Sequence, residues 1–103
     1  MSGTEVFHWD DITPYGDEKA DRRLIPGKAG DFKRVAVPGG TVAARHEHDF
    51  EQFFMVAQGQ GVLTCAQGEI ALRPGVVIHF APHVWHEARF TADTVIYEVN
   101  FRA

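Results

Sequence analysis

Turn-forming clusters recur at short intervals through most of this chain: Pro38-Gly39-Gly40, Gln58-Gly59-Gln60-Gly61, Gln67-Gly68-Glu69, Arg73-Pro74-Gly75, Ala81-Pro82-His83 and Thr91-Ala92-Asp93. Such spacing leaves little room for helices and marks antiparallel β structure closing as a sandwich or barrel. The stretches between the turns agree. Phe32 to Val37, Val42 to His48, Gln52 to Ala57, Gly61 to Ala66, Glu69 to Leu72, Val76 to Phe80, His86 to Phe90 and Thr94 to Phe101 are rich in Val, Ile, Phe and Thr, residues that suit a pleated, half-buried surface. A further strand, Val6 to Trp9, is expected at a sheet edge. The chain is therefore predicted to be all-β, and 103 residues with 45% hydrophobic content suffice for one domain, residues 1–103, around one core.

Residues 10–31 break the pattern. Asp10-Asp11-Ile12-Thr13-Pro14-Tyr15-Gly16-Asp17-Glu18-Lys19 and the following Asp21-Arg22-Arg23 offer little apolar surface to bury. A polar loop or arm is expected here: a mobile segment, a lid, or an arm covered by another subunit.

Charge and cysteine content exclude several classes of function. Ten basic and fourteen acidic residues give a net charge of -4, without the concentrated positive surface that nucleic acid requires. No run approaches the roughly 18 apolar residues of a membrane span, and the amino terminus lacks the pattern of a secretory signal. The expected partner is a small molecule, not nucleic acid or membrane, and the expected compartment is the cytoplasm. Cys65 is the lone cysteine, so an internal disulfide and finger-type zinc sites are ruled out. In its strand it is expected to be a small core hydrophobe.

The six histidines carry whatever metal chemistry the chain has. Residues two apart on a strand point to one face, so His46 and His48 aim into one space, and an even step further reaches Gln52. His86, opening a later strand, is the candidate fourth donor. Three imidazoles with one amide oxygen would suit a divalent transition metal, Fe, Mn, Ni, Co or Zn, with positions left open for water or substrate. Glu51 is the alternative to Gln52, with the wrong parity unless a β-bulge intervenes; a third arrangement leaves the metal with three histidines alone.

This spacing resembles the cupin superfamily. The first cupin motif is met by Gly40, His46, His48, Gln52 and Gly59, with Gln52 in place of the usual Glu. The second falls on Gly75, Ala81, His83, His86 and Phe90, with Ala81 replacing a Pro, His83 a Gly and Phe90 an Asn. The resemblance spans about residues 35–101 and implies a double-stranded β-helix, the jelly-roll barrel of the RmlC-like cupins. The run from His46 to Gln52 is similar to that of small cupins that convert unsaturated uronates to keto forms. A Gln at this position is also found in cupin hydroxynitrile lyases and in a prephenate-derived isomerase. The uronate cupins differ in carrying an Asp near the end of the last strand, close to where Glu98 stands, and a further tail after it.

The resemblance thus implies a metal-dependent isomerase or lyase in which the ion is a Lewis acid on a small oxygenated substrate. A neutral Gln52 leaves the ion's charge uncompensated and favours binding of anionic oxygen. A non-catalytic binding or sensor cupin is the competing class, and a three-His iron dioxygenase, distinguished by oxygen uptake, is a third.

His79 and His83 flank the second motif, and His79 is a candidate proton relay at the pocket mouth. Glu98 is a candidate base, although the apolar alternation of Tyr97, Val99 and Phe101 would place it on the solvent side. Finally, Gln52, Phe54 and Val56 share one face of their strand and Phe53 and Met55 the other. A strand apolar on both faces needs cover on both, which leads to the expectation of a homodimer.

Overall fold

The structure, a computed structural model, describes residues 3–102. Nine strands follow one short 3-10 helix, Trp9–Asp11: β1 (Asp21–Pro26), β2 (Gly30–Val37), β3 (Val42–His46), β4 (Gln52–Gln58), β5 (Gly61–Cys65), β6 (Gly68–Leu72), β7 (Val77–Phe80), β8 (His86–Phe90) and β9 (Thr94–Phe101). They form a five-stranded sheet in the order β1-β2-β9-β4-β7 and a four-stranded sheet in the order β3-β8-β5-β6. Every pairing is antiparallel. Two sheets with these crossings make a β-sandwich, as the turn spacing predicts, of the jelly-roll form that the resemblance implies. Among the described residues no helix is long and apolar enough to cross a membrane.

Alternation builds the core. Val35 and Val37 of β2, Phe54 and Val56 of β4, Leu63 and Cys65 of β5, Ala88 and Phe90 of β8 and Ile96 of β9 all turn inward. Cys65 is buried there as a free thiol. On β4 the opposite face is apolar too, with Phe53 at 41% and Met55 at 38% exposure. Gly59 lies in the turn between β4 and β5 with a φ of 103°, where a Cβ would meet Thr94 Oγ1 at 2.3 Å. Both the left-handed backbone and the close approach require glycine.

The amino-terminal region differs from expectation. Val6 to Trp9 is not a strand: the chain enters the 3-10 helix at Trp9, with the His8 side chain accepting from Asp10 N–H. Trp9 then packs against Phe32 and Tyr97, ring centroids 5.6 and 6.0 Å away, so burial on the outer face of the five-stranded sheet takes the place of edge pairing. Nor are residues 10–31 one loop, since β1 runs through Asp21–Pro26 and pairs with β2. The polarity that suggested a loop belongs to an edge strand, one side of which faces solvent. Tyr15 bridges to Arg22, which holds the remaining loop against the chain's own sheet.

Candidate metal centre

His46 ends β3 and His86 begins β8, and the two lie opposite each other in the strand register. A register shift between Ala43 and His46 turns the end of β3. His48 lies just beyond, in the connection to β4. The ligating nitrogens of His46, His48 and His86 all come within 4.8 Å of one another, and the ring centroids are 4.3 to 5.5 Å apart. Exposure falls from His46 through His48 to the buried His86, so the cluster runs from rim to floor.

Local contacts fix these rings. His46 Nδ1 lies 2.7 Å from Ala44 O and His86 Nδ1 lies 3.2 Å from Val84 O. A carbonyl only accepts, so both Nδ1 atoms donate, and each Nε2 keeps its lone pair for the cavity. Phe80 stacks on His86 at 4.2 Å and Phe50 on His48 at 4.6 Å. Burial, reinforced by the neighbouring His46 and His86, pushes His48 down to about 4. His86 is lowered by burial and then by His46. Three imidazoles whose ligating nitrogens come this close together are a donor set that could hold a divalent transition ion.

The connection at the second motif supports the cluster from outside. His83, which stands where the motif has Gly, adopts a φ of 67°, the left-handed conformation that glycine would favour. Its N–H donates to His48 O at 2.6 Å, and its ring lies 3.3 Å from Glu47. His83 thus steadies the loop that carries His48.

Gln52, 2% exposed, faces the histidines from the other sheet and lines the same cavity of about 250 Å³. Its Nε2 donates to Asn100 Oδ1 at 2.7 Å, which leaves the amide oxygen, the end that can ligate a cation, for the cavity. Glu51 points away and meets His79 Nε2 at 2.5 Å. The same contact removes His79 from the cavity: it sits on the outer face of β7 beside Phe53, because the inward position of that strand belongs to Phe80.

Glu98 is also displaced from expectation, in the opposite sense. Thr94 and Ile96 set the inward parity of β9, so Glu98 turns into the cavity, its side chain 15% exposed, 3.6 Å from Lys33 Nζ. The apolar series Tyr97, Val99 and Phe101 faces outward instead. Burial raises the Glu98 carboxyl, and Lys33 opposes that rise. Arg22, Lys33 and Asn100 complete the polar lining, and sequence reasoning missed all three. Lys33 was readable from its parity with Val35 and Val37; nothing in the local sequence marks Arg22. A separate hollow of about 310 Å³, bounded by residues such as Asp21, Gln58 and Asp93, has no imidazole in its lining.

The profile of the Cupin domain matches residues 33–99. Among curated proteins none matches the chain. Solved structures share the fold: KdgF from Halomonas sp. at 21% identity, covering 84% of each chain, with a TM-score of 0.74. An RmlC-like cupin from Shewanella frigidimarina matches at 16% identity, covering 97% of this chain and 93% of that one, with a TM-score of 0.85. Ectoine synthase from P. lautus matches at 15% identity, covering 95% and 78%, with a TM-score of 0.86.

Proposed function

The chain belongs to the cupin domain family, and from that premise we propose that it is a metal-dependent enzyme of the isomerase or lyase type, acting on a small oxygenated substrate, with His46, His48, His86 and Gln52 as the metal ligands. The observation that carries this reading is the convergence of three imidazoles within 4.8 Å, two of them held through Nδ1 by a backbone carbonyl. A bound divalent ion would supply Lewis acidity to a carbonyl or hydroxyl oxygen of the substrate.

The chain's own residues do the rest. His46, His48, His86 and Gln52 are neutral donors and add no compensating charge. Val35, Phe54, Leu63, Phe90 and Ile96 wall the cavity and limit water around a substrate. Glu98 serves as the acid and base. Its carboxyl is raised by burial, which suits it to hold a proton and return it, while Lys33 Nζ steadies the ionised form. Metal analysis of untagged protein purified without added metal, followed by turnover assays on uronates, cyanohydrins and diketones, tests the reading. Protein that takes up no divalent ion would overturn it.

We also propose that the outer face of the five-stranded sheet, with Phe32, Phe53, Met55 and Val77 exposed, pairs with a second copy. Sedimentation as a monomer across micromolar concentrations would refute the pairing.

A further inference from the structure

The wall of the cavity contributed by β1 and β2 carries two cations, Arg22 and Lys33, of which the metal reading uses only Lys33, as the partner of Glu98. Lys33 Nζ is drawn inward on the same parity as the core residues Val35 and Val37, and its side chain is 19% exposed. Removing an ammonium from water is costly unless its three donors are met. Its ion pair with Glu98 spans 3.6 Å, beyond the ordinary hydrogen-bond range, and the Tyr15 ring lies 5.5 Å away. Arg22, beside it on the cavity lining, gives Nη1 to Asp17 Oδ1 at 2.9 Å. A guanidinium has five donors in a planar fork, so one carboxylate held through Nη1 leaves capacity for another. Asp17 is the more exposed partner, 58% against 30%, so a competing anion can reach this pair from solvent.

We propose that Arg22 and Lys33 form an anion subsite, and that the substrate is a small hydroxy or keto acid. Its carboxylate binds these two cations, and its other oxygen lies toward His46, His48 and His86. This rests on the metal reading for the second oxygen, but not for the carboxylate. A carboxylate suits the wall better than a phosphate. Glu98 and Asp17 already balance Lys33 and Arg22, so a monoanion on the free guanidinium donors adds one negative charge, whereas a dianion would add two beside Glu98.

The test compares glycolate, ethylene glycol and inorganic phosphate by titration calorimetry on wild type, Arg22→Gln, and the double variant Lys33→Met/Glu98→Gln, which removes both members of the buried pair together. Metal content is measured for each. Glycolate is expected to bind wild type at least about tenfold more tightly than ethylene glycol, and each variant to lose about tenfold for glycolate with metal content unchanged, while Arg22→Gln binds ethylene glycol as wild type does. Repeating the titration with acetate on protein stripped of metal isolates this wall. Loss of acetate affinity in both variants upholds the subsite even if wild type retains no ion, an outcome that would count against the metal reading alone. Variants that bind glycolate and acetate as wild type does would overturn the subsite, and tighter binding of phosphate than of glycolate would overturn the carboxylate assignment.

Discussion

The two sheets bring different chemistry to one cavity. From the four-stranded sheet and the connection after it come imidazole nitrogens: His46 and His86, oriented by carbonyls two residues back in their own chain, and His48, stacked on Phe50. From the five-stranded sheet come an amide and charges: Gln52 on β4, Glu98 and Asn100 on β9, Lys33 on β2 and Arg22 on β1. Each of these is set by a partner on another strand or loop, Gln52 by Asn100, Glu98 by Lys33 and Arg22 by Asp17. The imidazole wall is therefore organised locally and can lose one member without disturbing the orientation of the others. The charged wall is organised in pairs, so removing one member exposes the other.

The largest effect is expected on the imidazole wall. His86→Ala should lower metal affinity by more than about a hundredfold, since a ligand lost outright costs more than the groups that orient ligands. Elemental analysis of the purified variant checks it, and full occupancy would show that the histidines are not a site. On the charged wall, Lys33→Met alone should destabilise the protein by roughly 2 kcal/mol, because Glu98 is left buried without its partner. The double variant with Glu98→Gln should recover most of that loss in urea melts. If the single and double variants unfold alike, the pairing argument fails.

Gln52→Glu joins the two walls. The variant should keep the metal while binding glycolate several-fold more weakly, because the added negative charge lowers the Lewis acidity of the ion. Unchanged glycolate affinity would make the neutral amide incidental.

A further effect concerns pH and needs metal-free protein. His48 is depressed to about 4 from 6.5, so between those values the unfolded chain binds a proton that the folded chain resists. Stability should fall as pH drops through that window and level off below it. His48→Gln should flatten this part of the melting curve against pH; an unaltered slope would assign the acid sensitivity elsewhere.

Much of this division was legible in the sequence. The strands His86–Phe90 and Thr94–Phe101 fall where turn spacing places them, because turn chemistry there is local. His46, His48 and Gln52 were found by counting even steps, yet the count does not describe the path. Strand β3 ends at His46, and the chain crosses to the other sheet before Gln52 begins β4. The charged wall was harder to read. Glu98 sits on a strand with apolar residues on both faces, so alternation alone could not say which side is inner until Thr94 and Ile96 were seen buried. His79 failed for the converse reason, since its neighbour Phe80 takes the inward position. Asp21-Arg22-Arg23 reads as loop because an edge strand draws its order from its neighbour, and that information lies in β2.

The pairing of His46 with His86 also bears on kinetics. The two face each other across β3 and β8 although about forty residues separate them along the chain, so the donor set exists only after that long loop has closed. An ion that needs all three imidazoles would arrive after the folding barrier has been crossed. It would then leave the folding rate unchanged and lengthen the lifetime of the native state, holding β3 and β8 together against unfolding.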